Sequence, residues 1–399
     1  MAYIGSKPTP VPLTSSDITD GIITSTKIAD GSIATADIAD AAVTKVKTSG
    51  VSSNPFRNII INGDMSIAQR GTSSTGITGQ GYNTIDRFET HASSLGTWTQ
   101  SQSTDVPTGQ GFATSLKMDC TTADASPSAG DFLYVRQKVE GQNLQYLKKG
   151  SSSAESTTLS FWVRSNKTGT YIAELYDIDN NRTISNSYTI SSADTWEKKT
   201  LTYAGDTTGA FGNDNGRSLD VAFWLGSGTT YTSGTLQTSW GSQTNANRAV
   251  GQVNLADNTA NEFYITGVQL EAGTTASDFE FLPVDVNLQR CQRYCYSEPS
   301  GQTYHAVMNG FINSSTLFMG VLNLPTSMRS TPSLTTTGNW QVFRSPSYSI
   351  SAFSLSDNGV NNLNSVQIRA TISGATAGDG AGIRNNNDAT ATFILSSEL

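Results

Sequence analysis

Between Leu13 and Val46 an apolar residue falls at every fifth position, through Leu13, Ile18, Ile23, Ile28, Ile33, Ile38 and Val43. That spacing matches neither the 3.6-residue period of a helix nor the two-residue period of a strand. In register the segment reads DITDGIITST, KIADGSIATA and DIADAAVTKV, with Asp20, Asp30 and Asp40 recurring ahead of Gly21, Gly31 and Ala41. Such a stretch is a string of short segments broken by turns. Each ten-residue unit offers two large aliphatic side chains, too little apolar surface to offset the entropy of ordering it alone. Two further copies of the chain, wound about a common axis, would let Ile18, Ile23, Ile28, Ile33, Ile38 and Val43 meet their equivalents at each level. The expectation is a trimeric shaft or collar over residues 13–53, built of single turns alternating with short extended pieces. A disordered linker rich in Thr, Ser, Asp, Ala and Gly is the alternative, and the regular aliphatic positions weigh against it.

Upstream, Pro8, Pro10 and Pro12 forbid a helix in residues 1–12. Tyr3 and Ile4 are the sizeable anchors of what is either a disordered tip or a docking peptide. The net charge of -8 supplies no basic stripe to replace phosphate counterions, which argues against nucleic acid and against a polybasic membrane contact. No run of about 18 apolar residues is present for membrane insertion, and MAYIGSKPTPVP lacks the apolar stretch of a signal peptide. Cys120, Cys291 and Cys295 cannot build a disulfide framework, so folding in a reducing cytoplasm is expected.

A globular region begins near Asn54. Only 15% of the 399 residues are charged and 36 are Gly, a composition that suits many short strands joined by turns. Asn58 to Met65 reads as a strand running into an Asn-Gly turn. Further strands are expected at Phe132 to Val139, Thr158 to Arg164, Tyr171 to Ile178, Lys198 to Tyr203, Leu219 to Leu225 and Glu262 to Leu270. Their spacing means an antiparallel sandwich or jelly roll over residues 54–284. Leu288, Cys291 and Cys295 at i, i+3 and i+7 predict a connecting helix over Asp285 to Tyr296, within residues 285–299. Residues 300–399 form a small C-terminal β domain with strands at Thr303 to Asn309, Ser315 to Leu322, Val366 to Ile372 and Ala391 to Leu395. The fold class is therefore mainly β.

Chemistry is sparse. His91 and His305 have no Cys or His at metal spacing, so both read as structural or surface residues, and Cys291 and Cys295 read as small core residues. Asp177, Asp179, Asp206, Asp214 and Glu271 sit near turns, where Asp is common for its own hydrogen bonding. Nothing sets two of them at a glycosidase separation. No catalytic residue, metal site or cofactor is assigned, although Asn62, Asp64 or Glu271 could offer oxygens to a structural calcium. Aromatic faces suit sugars. Trp162 and Trp224 fall in inner strands and read as core, which leaves Trp240 and Trp340 as candidate glycan platforms.

Several segments together resemble the tail fibres and other receptor-binding virion proteins of tailed bacteriophages. Met1-Ala2-Tyr3-Ile4-Gly5 is similar to the peptide by which such fibres attach, and Lys27 to Ile33 to the Asp-Gly repeats of their stalks. Asn58 to Met65 with Gln69-Arg70-Gly71, and Thr266 to Gly273, resemble the first and last strands of their carbohydrate-binding-module-like sandwich. Cys291-Gln292-Arg293-Tyr294 and Met328 to Pro332 are similar to the segment that follows. The resemblance implies a homotrimer assembled in the host cytoplasm and built into the virion. Tyr3, Ile4 and Gly5 would dock on a tail or portal/adaptor protein, and the β domains would face a cell-surface glycan or protein. The alternatives are a tailspike-like enzyme that degrades capsule or lipopolysaccharide, and a head or collar fibre with no receptor role.

Overall fold

A computed structural model describes residues 56–298, 301–356 and 361–399. The attachment residues Tyr3, Ile4 and Gly5 and the axis residues Ile18, Ile23, Ile28, Ile33, Ile38 and Val43 lie outside the described residues. Two antiparallel sheets pack face to face. One runs, edge to edge, through Ser73–Ile77, Thr97–Ser103, Ser115–Thr122, Glu262–Ala272, Thr157–Ser165 and Glu197–Tyr203. The facing sheet runs through Gly241–Ser242, Arg182–Ile190, Gly169–Asp177, Arg217–Ser227, Phe132–Glu140, Glu89–Ser93 and Gln80–Tyr82. The alternation of side chains decides which face is buried. Leu159, Phe161 and Val163 point inward to meet Tyr171, Ala173, Leu175, Val221 and Phe223, with the Phe161 and Phe223 rings 5.0 Å apart and edge to face. Each such full burial contributes about 1.5–3 kcal/mol.

A second group of strands follows. A seven-stranded sheet is ordered Tyr348–Ser349, Trp340–Phe343, Gly380–Asn385, Ala306–Ser314, Leu317–Asn323, Ser365–Thr371 and Ala352–Leu355. A three-stranded sheet of Cys295–Ser297, Thr392–Ser396 and Ser333–Thr337 accompanies it. Phe318, Val342, Ile368, Ile383 and Phe393 make a separate core there. Both groups belong to one contact unit, Asn54–Leu399. Among the described residues no helix is long and apolar enough to cross a membrane.

Two expected elements differ. The helix covers Val284–Gln292, and Cys295 opens a strand paired with Ser396, so Cys291 and Cys295 do not share a helix face. Pairing with Thr392–Ser396 wins over continued helix because the chain must turn to reach that ladder. Both thiols are nevertheless buried and free.

The stretch Asn58 to Met65 is buried but is not a strand. Asn62 and Met65 both take φ of 60°, which breaks an extended run, and side chains replace the ladder. The Gln137 amide accepts from Ile61 N at 2.7 Å and donates to Ile61 O at 2.8 Å. The Asn58 Oδ1 accepts from Ile60 N and Leu270 N, and Ile59 N donates to Leu270 O at 2.9 Å. The first and last segments of the sandwich are thus held side by side.

The remaining motifs of the resemblance meet where the sandwich touches the second group of strands. Gln69 Nε2 donates to Cys295 O at 2.7 Å, and Arg293 holds Glu140 through two bonds of 2.7 Å. Arg329 donates to Ser397 O and Glu398 O, while Arg70 and Arg87 both engage the Glu398 carboxylate. These residues fix how the two parts dock.

Candidate functional site

Trp162 was expected in the core on the strength of its apolar strand. The strand is inner, but Ser160, Trp162 and Arg164 alternate against Leu159, Phe161 and Val163 and therefore face outward. The flanking Ser and Arg are the sequence signal that could have found this. Trp162 is half-buried on the outer face of its sheet, opposite Lys198 on one neighbouring strand and Thr266 on the other.

Beside it stands a wall of three phenylalanines. Phe112, Phe279 and Phe281 have centroids 4.8–5.1 Å apart. Phe112 seats over Gly267, which has φ of +63°, and a Cβ there would come within 2.6 Å of Phe112 Cζ. The register shift between Thr266 and Gln269 is the bulge that admits it. Residues 277–281 are fastened below by Ser277, whose N and Oγ donate to Glu271 at 2.8 and 2.7 Å, and by Glu280 N, which donates to Gln269 Oε1 at 2.9 Å. Between wall and sheet lies an open cavity of about 320 Å3 lined by Trp162, Phe281, Lys198, Asp278, Gln110 and Ser160 among others. Phe281 is 49% exposed. Among the described residues neither Lys198 nor Asp278 is held in an ion pair within 4 Å, so both can turn to a ligand.

The same face continues into a fixed, charged rim. Glu262 binds Lys117 at 2.7 Å and Arg164 at 3.2 Å, and both cations flank the Tyr264 ring. Burial opposes ionisation of Glu262, but Lys117 and Arg164 bring its carboxyl below the usual range. Trp196 donates its ring N–H to Asp105 at 2.8 Å. These charges are satisfied internally and frame the groove.

The outer face of the other sheet is closed. Tyr134, Phe132 and Trp224 stack there under Tyr231 and Leu236. Arg248 lies 5.1 Å from the Trp224 ring and is clamped by Glu174 at 2.7 and 2.8 Å. Trp224 is therefore buried as expected, but beneath a loop and not between the sheets. His91 hydrogen-bonds the Tyr134 hydroxyl at 2.9 Å. Burial first, and the nearby Arg136 charge second, push its pKa down to about 4, so the ring is neutral near pH 7. His305 Nε2 lies 3.3 Å from Glu298.

Of the two expected platforms, Trp340 is a core residue. It is 6% exposed, packs edge-on against Phe353 and Phe393, and donates its N–H to Thr337 O at 2.8 Å. Gly338 had suggested an open loop, but Trp340 begins a strand. Trp240 is half-buried and roofs a charge cluster. Lys149 sits 5.3 Å from its ring centroid and 2.5 and 3.0 Å from Asp177 and Asp206. Burial would raise the Asp206 carboxyl, yet Arg182, the Thr208 N–H and Lys149 hold it below the usual range. The space beside Trp240 is about 20 Å3, room for a water and not for a sugar ring.

Among the described residues no three His, Cys, Asp or Glu side chains stand together as a metal site. The oxygens considered for calcium are engaged elsewhere. Asn62 Oδ1 accepts from Ile67 N, Asp64 Oδ1 from Asn287 and Ser66, and Glu271 from Ser277.

Fold and groove together define an antiparallel β-sandwich with an open aromatic cleft on one sheet face. No protein-family model matches the chain, and no curated protein matches it. Among solved structures, the enzymatically active domain of bacteriophage CBA120 tailspike protein 4 overlays at 15% identity and a TM-score of 0.30, covering 55% of this chain and 22% of that one. The C-terminal family 22 carbohydrate-binding module of Clostridium thermocellum Xyn10B overlays at 12% identity and 0.26, covering 52% and 98%. The family 11 module of Clostridium thermocellum Lic26A-Cel5E gives 9% and 0.24, covering 50% and 98%. Scores this low decide nothing about what the chain binds.

Proposed function

We propose that the chain is a structural virion protein of a tailed bacteriophage, a tail fibre whose β domains recognise a glycan on the host surface. It is held to the tail or portal through Tyr3, Ile4 and Gly5 and is trimeric along residues 13–53. It is assembled in the host cytoplasm and acts in the virion. The observation that carries the binding reading is the groove at Trp162. The half-buried indole lines the groove, where its face suits the CH face of a pyranose, and Lys198, Asp278 and Gln110 are placed to meet its hydroxyls. Asp278 is the one carboxylate among the residues lining the groove, whereas cleavage of a glycosidic bond needs two. The reading is therefore binding without hydrolysis.

Incubated with host cells or purified surface polysaccharide, the protein should adsorb and release no reducing sugar. Trp162→Ala should weaken adsorption about tenfold, the cost of losing a central aromatic anchor, with the circular dichroism spectrum unchanged. Reducing sugar in the supernatant would replace this reading with a polysaccharide-degrading tailspike. Full affinity in Trp162→Ala would remove the groove from it.

The trimer is supported by the isoleucine repeat and is tested separately. Light scattering on the full chain should give three times the chain mass, and Ile28→Asp or Ile33→Asp should abolish assembly while the sandwich still folds. A monomeric parent protein would sink the shaft.

A further inference from the structure

A second cavity, of about 390 Å3, opens where the helix Val284–Gln292 passes the start of the sandwich. Phe56 and Tyr146 line it and are 58% and 42% exposed. Asn143 and Tyr146, on two consecutive 3-10 turns, are three residues apart and project from the same side. Arg290, Arg293 and Tyr294 supply the opposite wall.

The two arginines differ in their partners. Arg293 is spent on Glu140, which also accepts from Tyr294 and Gln142. Arg290 has no carboxylate within 4 Å among the described residues. Among the described residues its one hydrogen bond is a long one, 3.4 Å to Asn58 O. Glu280, a carboxylate on the same side of the molecule, is taken by the backbone N–H groups of Phe56, Arg57 and Asn58 at 2.8, 3.3 and 2.9 Å. Burial lowers the pKa of Arg290, and the more distant charge of Glu280 offsets it only in part. A half-buried guanidinium with free donors beside an open cavity is an incomplete ion pair, and a planar carboxylate completes it by bidentate bonding.

We propose that this cavity is a second carbohydrate subsite, which takes a uronic acid residue with its carboxylate on Arg290. The sugar ring lies against Phe56 and Tyr146, and the Asn143 amide addresses a hydroxyl. A peptide carboxylate would satisfy Arg290 equally but would leave the two exposed aromatic faces and the amide without a role. The inference deepens the glycan-binding reading and rests on it. The two can fail separately, because Trp162 and Arg290 line different cavities.

The test uses the full chain and two probes that differ in one group: a glucuronate-containing oligosaccharide and its carboxyl-reduced form, in which each glucuronate has become glucose. Calorimetric titration should give a dissociation constant about tenfold lower for the acid form, the effect of a hydrogen bond to a charged group. Arg290→Gln should erase that preference, so that the acid and reduced forms bind alike. Tyr146→Ala, at a position 42% exposed, should weaken the acid form several-fold with the circular dichroism spectrum unchanged. Trp162→Ala should weaken the reduced form and retain the preference for the acid. Equal affinity for both probes in the parent chain, or an undiminished preference in Arg290→Gln, overturns the subsite and leaves the Trp162 groove standing. Equal binding of oligoglutamate assigns the cavity to peptides and overturns it as well. Binding of neither sugar overturns both readings together.

Discussion

Replacing Glu398 by Gln should destabilise the folded unit by about 3–5 kcal/mol, the cost of removing one partner of a buried ion pair. Glu398 is the shared anion of two arginines. Arg70 reaches it at 3.1 Å, and Arg87, whose side chain is 1% exposed, pairs with its other oxygen. Arg87 already leaves its Nε without an acceptor among the described residues. Its other contacts are Lys138 O at 2.7 Å and the Tyr294 ring at 3.4 Å, and neither neutralises it. The carboxamide keeps the shape and deletes the charge, so the loss is that of an uncompensated buried cation. The exposed pair Lys148–Glu155 serves as control, and Glu155→Gln should stay within about 0.5 kcal/mol. Removing Arg87 and Glu398 together with Arg87→Met and Glu398→Leu should recover only the share of the loss that falls on Arg87, since that apolar pair carries no desolvation penalty while Arg70 is left with Asp86 at 3.7 Å. Urea midpoints at constant slope measure all three. A loss under about 1 kcal/mol for Glu398→Gln would show that water reaches the pair. Because Glu398 ties the end of the described chain to the sandwich, the variant should also loosen the second group of strands, visible as faster amide exchange in Thr392–Ser396.

How much of this was legible in the sequence depends on where a residue's partner lies. Strands built on a short apolar run, such as Arg217–Ser227 and Thr157–Ser165, were found to within a few residues because that signal is local. Ser73–Ile77 and Thr97–Ser103 read SSTGI and TWTQSQS and give no such signal. They are strands because a neighbour already offers a ladder. Trp340 beside Gly338 reads as loop, yet the ring is buried by Phe353 and Phe393 from distant segments. Trp162 shows the reverse error. The strand was recognised, but its facing was not, because SFWVR places large apolar groups on both faces. Arg290 was invisible for another reason. An arginine is ordinary in a helix, and what singles it out is that Glu280 and Glu140 are consumed by other partners, a fact of three-dimensional arrangement alone.

Gly63→Ala should cost about 3 kcal/mol, at the upper end of what one added methyl does in a packed interior. Asn62-Gly63 looked like a hairpin turn, in which the glycine would serve a left-handed backbone. The structure gives it a different duty. The left-handed residue is Asn62, and Gly63 is there because the strand Glu262–Ala272 passes against its Cα. A Cβ at this position would stand 3.1 Å from the Val268 carbonyl carbon and overlap its oxygen. That oxygen accepts from Asn58 Nδ2 at 3.1 Å, and Val268 N donates to Gly63 O at 2.9 Å. The obstacle is backbone, so no rotamer change relieves it. Separating the segments to make room would break both bonds and the stitching of Asn58 to Met65 onto the last strand. Gly130 is the matched control: it is exposed, and a Cβ there meets nothing within 4 Å. Gly130→Ala should be neutral or slightly stabilising, through the entropy of the unfolded chain. Thermal and urea denaturation of the two variants therefore distinguish a glycine kept for backbone approach from one kept for nothing the fold requires. Equal midpoints would mean that the first segment of the sandwich yields easily, and that its side-chain hydrogen bonds do not hold it against the last strand.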